Sequence, residues 1–298
     1  MIRLRPFSYF APNTLSEAIE ILAEQGTEAF PLAGGTDLLV RMKTSVIKPS
    51  ALINLKRIAG LNGIMEENGR GVRIGALTPL VALEQSPLIQ SSHPVMVQAV
   101  GVLGSPPIRT LGTLGGNIGR ASPASDMAPV LMVMQARVAM RGPKGEREVD
   151  IEEVFTGPGE IALTPGEVIT SFFLPVIPPH SGAVYLKMRR REGMDCALAG
   201  VATSLTLSGG KTEAKGASIA LSSVAPVPFR ARKAEGIILS GPLSEKRMRE
   251  AAEVASEEIS PITDFRASGS YRREIVKALT FRALMDSFHQ ARGGGKDE

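Results

Sequence analysis

Apolar residues recur along the chain with two periods, one typical of helices and the other typical of strands. The clearest helical pattern is "NTLSEAIEILAEQG", where apolar residues return every three or four positions. Thr14 and Glu17 fit a capping box at its start, and Gly26 fits a left-handed stop at its end. The sequence therefore predicts a helix over residues 13–26.

Short strand and helix patterns alternate through the next part of the chain. The predicted strands are "AFPLA", "SALINL", "GVRIGAL", "RVAMRG" and "REVDI". The predicted helices are "TDLLVRMK", "PLVALEQS", "PVMVQAVGVLG" and "SDMAPVLMVMQA". The segment "NGIMEENGRG", between the second and third strands, is rich in turn residues. This alternation predicts a mixed helix and sheet fold.

The pattern changes near Leu174, where the proline-rich "LPVIPPHSG" indicates a domain boundary. Beyond it, alternating residues predict antiparallel strands, with Gly209 and Gly210 at a hairpin turn. Two helices follow, one opening at Ser244 and one running over residues 270–292. The last helix has a predicted buried stripe: Tyr271, Ile275, Leu279, Leu284 and Phe288. The final "GGGKDE" is typical of a frayed tail.

Composition excludes several classes of protein. The chain has 298 residues, 43% of them hydrophobic and 21% charged, which is ordinary for a globular protein of about two domains. No apolar run is long enough for a membrane span, and the N-terminus has no signal-peptide core, so we expect a cytoplasmic protein. A net charge of +4, 4% aromatic residues and no tryptophan disfavour nucleic-acid binding.

Cysteine and histidine are too few for metal chemistry. Cys196 is the one cysteine, which excludes an intrachain disulfide and any site that needs several thiolates. The three histidines are isolated along the chain and have no metal-ligand spacing. We expect Cys196 to be a small buried apolar residue. Redox chemistry in this chain would need a bound organic cofactor.

Two glycine pairs carry the candidate chemistry. The first, "PLAGGTDLL", contains Gly34, Gly35 and Thr36 between a predicted strand and a predicted helix. The second, "TLGGNIG", contains Gly115 and Gly116 about eighty residues later. Glycine permits positive φ and close approach, and successive backbone N–H groups in such turns bind anions. Two such turns suit one long ligand with two phosphates, such as a dinucleotide.

The residues alone leave alternatives open. Neither motif has the spacing of the Rossmann fingerprint or of the P-loop. Both glycine pairs could serve tight turns only, and Asp37 and Asp126 could be helix caps. The run Arg189–Arg191 could be a solvated strand edge. At this level the sequence indicates an anionic, nucleotide-like ligand.

Five segments in the same order resemble one known family. They are "AGGTDLL", "IRTLGTLGGNIGRASPASD", "LTPGEVITSFFLP", "YLKMRRREGMDCALAGVA" and "DFRASGSYRREIVKALTFRAL". Together they resemble the medium, FAD-binding subunit of the xanthine dehydrogenase and carbon monoxide dehydrogenase family, the molybdenum hydroxylases. The resemblance covers nearly the whole chain.

This resemblance implies an α+β fold with a two-subdomain FAD-binding domain of the PCMH type. The implied bounds are 1–175 for that domain, with subdomains at about 1–55 and 56–175. A C-terminal flavoprotein domain with a small antiparallel sheet and helices follows at 176–290, and 291–298 would be a disordered tail. FAD would lie extended between the subdomains.

The resemblance also implies the contacts of the cofactor. The matched positions are Ala33, Gly34, Gly35, Thr36, Asp37, Thr113, Gly116, Asn117, Asp126, Ile169 and Lys187. Ile169 would lie beside the flavin ring and Lys187 near the isoalloxazine, where its charge would favour the anionic reduced flavin. The family often has Gln before "IR" and Asn after it, whereas this chain has Pro107 and Thr110, so neither is assigned to the site.

The implied activity is electron relay, with no catalytic acid, base or nucleophile on this chain. A small partner subunit would carry two [2Fe–2S] clusters, and a large one the molybdenum cofactor. Electrons would pass through FAD to an acceptor such as NAD or a quinone. The single cysteine agrees with clusters that lie elsewhere. The alternatives are a free-standing flavin-dependent oxidoreductase of the same fold and a scaffold without cofactor.

Overall fold

The structure is a computed structural model that describes residues 4–209 and 212–293. Its N-terminal layer is a parallel sheet in the order β1-β3-β2, built from β1 (Ser8–Phe10), β2 (Ala29–Leu32) and β3 (Ala51–Asn54). The connections are α1 (Leu15–Gln25) and α2 (Leu38–Lys43). The first glycine motif therefore lies between β2 and α2, as the pattern predicts.

The predicted capping box forms at the start of α1. The hydroxyl of Thr14 accepts a hydrogen bond from the amide of Glu17 at 3.2 Å. The carboxylate of Glu17 accepts one at 2.9 Å from the amide of Asn13, one residue before the position that the motif usually uses. Ala18, Ile19 and Leu22 form the buried face of the helix, and Ala18 and Leu22 pack on the parallel sheet.

A second, antiparallel sheet has the order β4-β5-β10-β6-β7. These strands are β4 (Ile64–Glu66), β5 (Gly71–Gly75), β6 (Arg137–Gly142), β7 (Gly145–Asp150) and β10 (Val168–Pro175). A separate hairpin pairs β8 (Phe155–Gly157) with β9 (Glu160–Ile161). The patterns did not predict β4, which falls in the turn-rich segment, or the central β10.

Six helices lie between β5 and β6. They are α3 (Leu80–Gln85), α4 (Pro87–Ser92), α5 (Pro94–Gly101), α6 (Pro106–Leu111), α7 (Leu114–Gly119) and α8 (Met127–Val133). Every residue of α8 is buried, so this helix runs through the core. Three 3₁₀ turns complete this part of the chain at Gly26–Glu28, Leu55–Arg57 and Ile151–Glu153.

The last sheet is antiparallel in the order β11-β12-β13-β14. Its strands are β11 (Ser181–Met188), β12 (Ala199–Leu207), β13 (Ala214–Ser222) and β14 (Phe229–Arg230). One face packs on α9 (Arg232–Leu239), α10 (Glu245–Glu257) and α11 (Gly269–Ala291). The other face, with Tyr185, Ala202 and Ala220, joins the core of the preceding helices. This sheet is therefore buried on both sides.

Two predictions about buried residues are wrong. Cys196 is exposed, because it lies in the loop before β12 and not in a strand. Tyr271 is 52% exposed, because Arg272 takes the inward position of that helical turn and donates to the carbonyl of Leu198 at 2.6 Å. The other stripe residues are buried or partly buried.

Other predictions concern the hairpin turn, the tail and the domain bounds. Gly210 of the predicted hairpin turn and residues 294–298 of the predicted tail lie outside the described residues. The division of the chain at about residues 55 and 175 also stays a prediction. Ala291, which that division gave to the tail, is the last residue of α11.

His93 is buried between α4 and α5, where they meet the last residue of β10. Its Nε2 lies 3.1 Å from the carbonyl oxygen of Pro175, and its Nδ1 lies 2.9 Å from the hydroxyl of Ser92. Burial lowers the pKa of His93, and the contact with Pro175 opposes that effect in part. The folded state therefore favours the neutral ring.

We expect this histidine to make stability fall at acid pH. Below the pKa of an unfolded histidine, about 6.5, the unfolded chain binds a proton that the folded ring resists. The free energy of unfolding should then fall by up to about 1.4 kcal/mol per pH unit, measured by urea unfolding. His93→Gln should flatten this dependence, and the exposed His289→Gln should not. Equal slopes in both variants would contradict the assignment.

Candidate functional site

The two glycine motifs lie against each other. A Cβ at Gly34 would lie 2.0 Å from the carbonyl oxygen of Leu111 and 2.9 Å from the Cα of Gly112. A Cβ at Gly116 would lie 3.8 Å from the Cβ of Ala33. Backbone thus meets backbone between segments eighty residues apart, which only glycine at position 34 allows.

The first motif offers unused backbone donors. Gly35 has φ of +75°, which bends the chain between β2 and α2. Within the described part of the chain, the amides of Gly34, Gly35 and Thr36 donate no hydrogen bond. The hydroxyl of Thr36 lies over Gly112 of the second segment, 3.5 Å from where a Cβ would stand. Three consecutive N–H groups and one hydroxyl are therefore available to a ligand at the contact between the motifs.

Asp37 joins the two motifs by an ion pair. It is the N-cap residue of α2, but its side chain makes no capping hydrogen bond there. Its Oδ2 instead lies 2.9 Å from the Nε of Arg120, just after α7, and 3.9 Å from Arg41. Both partners of the shorter pair are partly exposed, so it stabilises the contact by about 0.2–1 kcal/mol.

The second motif is helical and not an open turn. Thr113 caps α7, and its hydroxyl accepts the amide of Gly116 at 3.0 Å. The amide of Gly115 donates to the carbonyl of Ala76 at 2.8 Å, and that of Asn117 to the carbonyl of Thr113 at 2.9 Å. The expected set of free anion-binding amides in this motif is therefore wrong, because the helix and its cap already use them.

The two glycines of this motif have different structural roles. A Cβ at Gly115 would lie 2.7 Å from the Cβ and from the carbonyl oxygen of Ala76, so this residue permits packing. Gly116 is exposed beside Ala33 and leaves the helix surface flat there. The oxygen of the Asn117 side chain accepts from the hydroxyl of Ser125 at 2.7 Å. This bond holds the segment that leads to Asp126.

Asp126 and Lys187 form a buried ion pair. The Nζ of Lys187 lies 2.9 Å from Oδ2 of Asp126, and the two side chains are 3% and 8% exposed. Oδ1 of Asp126 accepts the hydroxyl of Tyr185 at 2.6 Å. Asp126 makes no helix-capping bond, so the alternative that it serves as a helix cap is excluded.

Burial dominates the electrostatics of this pair. It raises the pKa of the Asp126 carboxyl, and Lys187 and the Tyr185 hydroxyl oppose that effect. Burial first, and then the neighbouring carboxylate, raises the pKa of Tyr185 well above its usual value. In this hydrogen bond the phenol is therefore the donor and the carboxylate the acceptor.

The remaining residues occupy supporting positions. Ile169 is buried on β10, and its Cδ1 lies 4.0 Å from where a Cβ of Gly119 would stand, so it lies beside α7. Pro107, the departure from the family pattern, falls at the start of α6. An amide at this point has no helical partner in any case, so a proline is tolerated there. Arg109 is held by Glu84 at 3.1 Å.

Sequence reasoning missed Tyr185 and Arg120. Tyr185 is two residues from Lys187 on a strand, so a strand assignment would have placed both side chains on one face. Arg120 gave no comparable signal, because its partner Asp37 is distant in sequence.

The comparison with known proteins decides the family. Residues 5–177 match the family described as the FAD binding domain in molybdopterin dehydrogenase. Residues 183–287 match the one described as the CO dehydrogenase flavoprotein C-terminal domain. The chain belongs to this flavoprotein family. The sequence resemblance is therefore confirmed, together with FAD as the family's cofactor.

Relatives in the family align over almost their full lengths. The carbon monoxide dehydrogenase medium chain of Afipia carboxidovorans is 34% identical over 93% of this chain and 95% of its own. The glyceraldehyde dehydrogenase medium chain of Sulfolobus acidocaldarius is 35% identical over 94% and 98%. The solved carbon monoxide dehydrogenase of Hydrogenophaga pseudoflava contains a chain with TM-score 0.93 and 32% identity, over 97% and 99%.

These matches confirm the predicted α+β flavoprotein fold and the class of oxidoreductase subunits. The chain is a medium subunit of the kind that multi-subunit molybdenum hydroxylases contain. Among the described helices, none is both long and apolar enough to cross a membrane. The described side chains also include no group of three His, Cys, Asp or Glu that could hold a metal ion. The individual FAD contacts stay predictions.

The contact at Gly34 generates a test. In Gly34→Ala the added methyl would overlap the Leu111 carbonyl, so the two motifs must separate. We expect a loss of about 1–3 kcal/mol in the free energy of unfolding and at least a roughly tenfold rise in the FAD dissociation constant, measured by flavin fluorescence.

The matched control is Gly101→Ala. Gly101 ends α5, is exposed and has no atom within 4 Å of an added Cβ. This variant should keep the wild-type affinity for FAD. Wild-type affinity in Gly34→Ala as well would contradict the role given to the contact.

Proposed function

We propose that the two motifs bind one extended FAD and that the chain relays electrons through it within a molybdenum hydroxylase complex. The observation that supports this most directly is the row of unpartnered amides at Gly34, Gly35 and Thr36, set against the second motif. Backbone N–H groups in such a row suit a diphosphate. Family membership supports the choice of FAD.

The residues divide the work of binding. In this proposal the first motif, Ala33 to Asp37, supplies the donors for the diphosphate. Gly116 gives a flat surface on which the cofactor lies, and Thr113 and Asn117 keep that surface in place through their own hydrogen bonds. Ile169 covers the ring from its apolar side. Asp126 and Lys187 stand at the ring end as a charge-balanced pair.

Lys187 retains capacity for a ligand. Its ammonium has three N–H donors, and two of them reach Asp126 and the carbonyl of Val102 at 2.9 and 3.2 Å. In this proposal the third reaches a flavin heteroatom. When bound, the flavin supplies the redox chemistry, while this chain binds it, orients it and sets the charge around it.

The partners in this proposal rest on membership of the family. Electrons would come from [2Fe–2S] clusters on a small subunit, fed by a molybdenum cofactor on a large one. The acceptor would be NAD or a quinone, and the complex would act in the cytoplasm. Relatives named as medium chains of dehydrogenases support this division of labour.

The test begins with the purified chain titrated with FAD. Stoichiometric binding, followed by purification of the native complex and reduction of its flavin by substrate, is the expected result. Failure of FAD to bind either the chain or the complex would leave a scaffold without cofactor. Turnover of a small substrate by the chain alone would favour the free-standing oxidoreductase.

The charge on Lys187 gives a second measurement. At a pH alkaline enough to keep Asp126 ionised, Lys187→Met leaves the negative carboxylate unbalanced, which disfavours the anionic reduced flavin. We expect the midpoint potential to fall by roughly 30–60 mV, equivalent to about 1.4–2.8 kcal/mol for a two-electron couple. Asp126→Asn combined with Lys187→Met removes both charges and should return the potential towards wild type. An unchanged potential in the single variant, with FAD bound, would reject this role.

A further inference from the structure

Tyr185 connects the C-terminal sheet to the preceding helices. It lies on β11 of the C-terminal sheet, opposite Ala202 of β12. Its side chain is buried in the cluster formed by the preceding helices, whereas its neighbour Val184 packs with α9–α11. Its backbone amide also bonds to this region, because it donates at 2.9 Å to the side-chain oxygen of Gln98 on α5. Both its backbone and its ring therefore tie β11 to the FAD-binding side of the molecule.

Gly200 makes room for the hydroxyl of Tyr185. A Cβ at Gly200 would lie 2.7 Å from that hydroxyl and 2.5 Å from the hydroxyl of Ser222 on β13. Gly200 lies in β12, between two other strands, where glycine weakens a sheet and gives nothing to pack. The residue is explained by the phenol, which occupies the space that a side chain would fill.

The carboxylate of Asp126 is held at both oxygens. Tyr185 donates to Oδ1 at 2.6 Å and Lys187 to Oδ2 at 2.9 Å, and both donors come from one face of β11. Of the charged groups around Asp126, Lys187 is in contact and Arg189 acts over a longer distance. The uncharged donor is Tyr185. Removing its hydroxyl alone would change the carboxylate without removing a charge.

We propose that Tyr185 is a positioning residue that, through Asp126, keeps the ammonium of Lys187 fixed and charge-balanced at the ring end of the FAD site. This rests on the proposed function, because it assigns the pair to the flavin. Tyr185 itself touches neither the reacting atoms nor, in this proposal, the cofactor. It acts by keeping the buried Asp126 ionised and turned towards Lys187.

The consequence concerns pH. Without the phenol, the buried carboxylate loses a charge-assisted hydrogen bond and takes up a proton more readily. Once Asp126 is neutral, the charge of Lys187 is no longer balanced, and it favours the anionic reduced flavin. The flavin potential of such a variant should therefore rise on the acid side and match wild type on the alkaline side.

The experiment compares Tyr185→Phe with Thr203→Val in the FAD-loaded chain. Thr203 is buried on the same strand as Gly200, and its hydroxyl lies 2.7 Å from that of Ser287, so this control also loses one buried hydrogen bond. Midpoint potential is measured between about pH 6 and about pH 9. For Tyr185→Phe we expect the plot of potential against pH to bend at a pH higher by about one unit or more. For Thr203→Val we expect the wild-type plot.

Asp126→Asn separates action through the carboxylate from a general structural effect. In that background, Tyr185→Phe should leave the plot of potential against pH unchanged. The proposal is overturned if Tyr185→Phe and Thr203→Val give the same plot, or if Tyr185→Phe still shifts the plot in the Asp126→Asn background. If wild type binds no FAD, the proposed function itself fails. If wild type binds FAD but Tyr185→Phe behaves like Thr203→Val, only the role given to Tyr185 fails.

Discussion

The approach of Gly34 to the Leu111–Gly112 backbone is the constraint on which the site depends. It joins a loop of the small parallel sheet to the helical region that precedes the core, with no side chain between them. Because the contact is made by main-chain atoms, its geometry does not depend on rotamers. The partly exposed ion pair between Asp37 and Arg120 adds little energy but fixes the same relation between the two segments.

The two motifs look alike in sequence and behave differently in the fold. The first keeps its amides free, whereas the second commits them to a helix, a threonine cap and the carbonyl of Ala76. The two glycine pairs are therefore alike in sequence but differ in role. One pair provides donors, and the other provides a close-packed and partly flat surface.

Much of the fold was readable from local patterns, and the failures have physical causes. The helix from Leu15 to Gln25 carries its own cap and its own apolar face, so its signal is local. Strand β10 is central to its sheet, yet its pairing with β5 and β6 joins segments far apart in sequence. The exposure of Cys196 follows from its place in a loop, and that of Tyr271 from Arg272, which takes the inward position of the same helical turn.

The site shows the same division. Family resemblance supplied the positions of Asp126 and Lys187, but their mutual contact required the C-terminal sheet to pack on α8 through β12 and β13 and on α5 through β11. Tyr185 carried no motif of its own, and it became visible only through its hydroxyl and the glycine that accommodates it. A residue that acts only by positioning other residues gives no clear motif in a single sequence.

The double burial of the C-terminal sheet has a consequence for how such chains can change. One face of that sheet packs on its own helices, while the other completes the interior of the region that carries the second glycine motif. The two halves are thus not interchangeable modules. Recombination between relatives at the proline-rich junction would combine two sides of one core that come from different proteins. Successful chimaeras should therefore take both halves from one parent or carry substitutions that restore the packing between them.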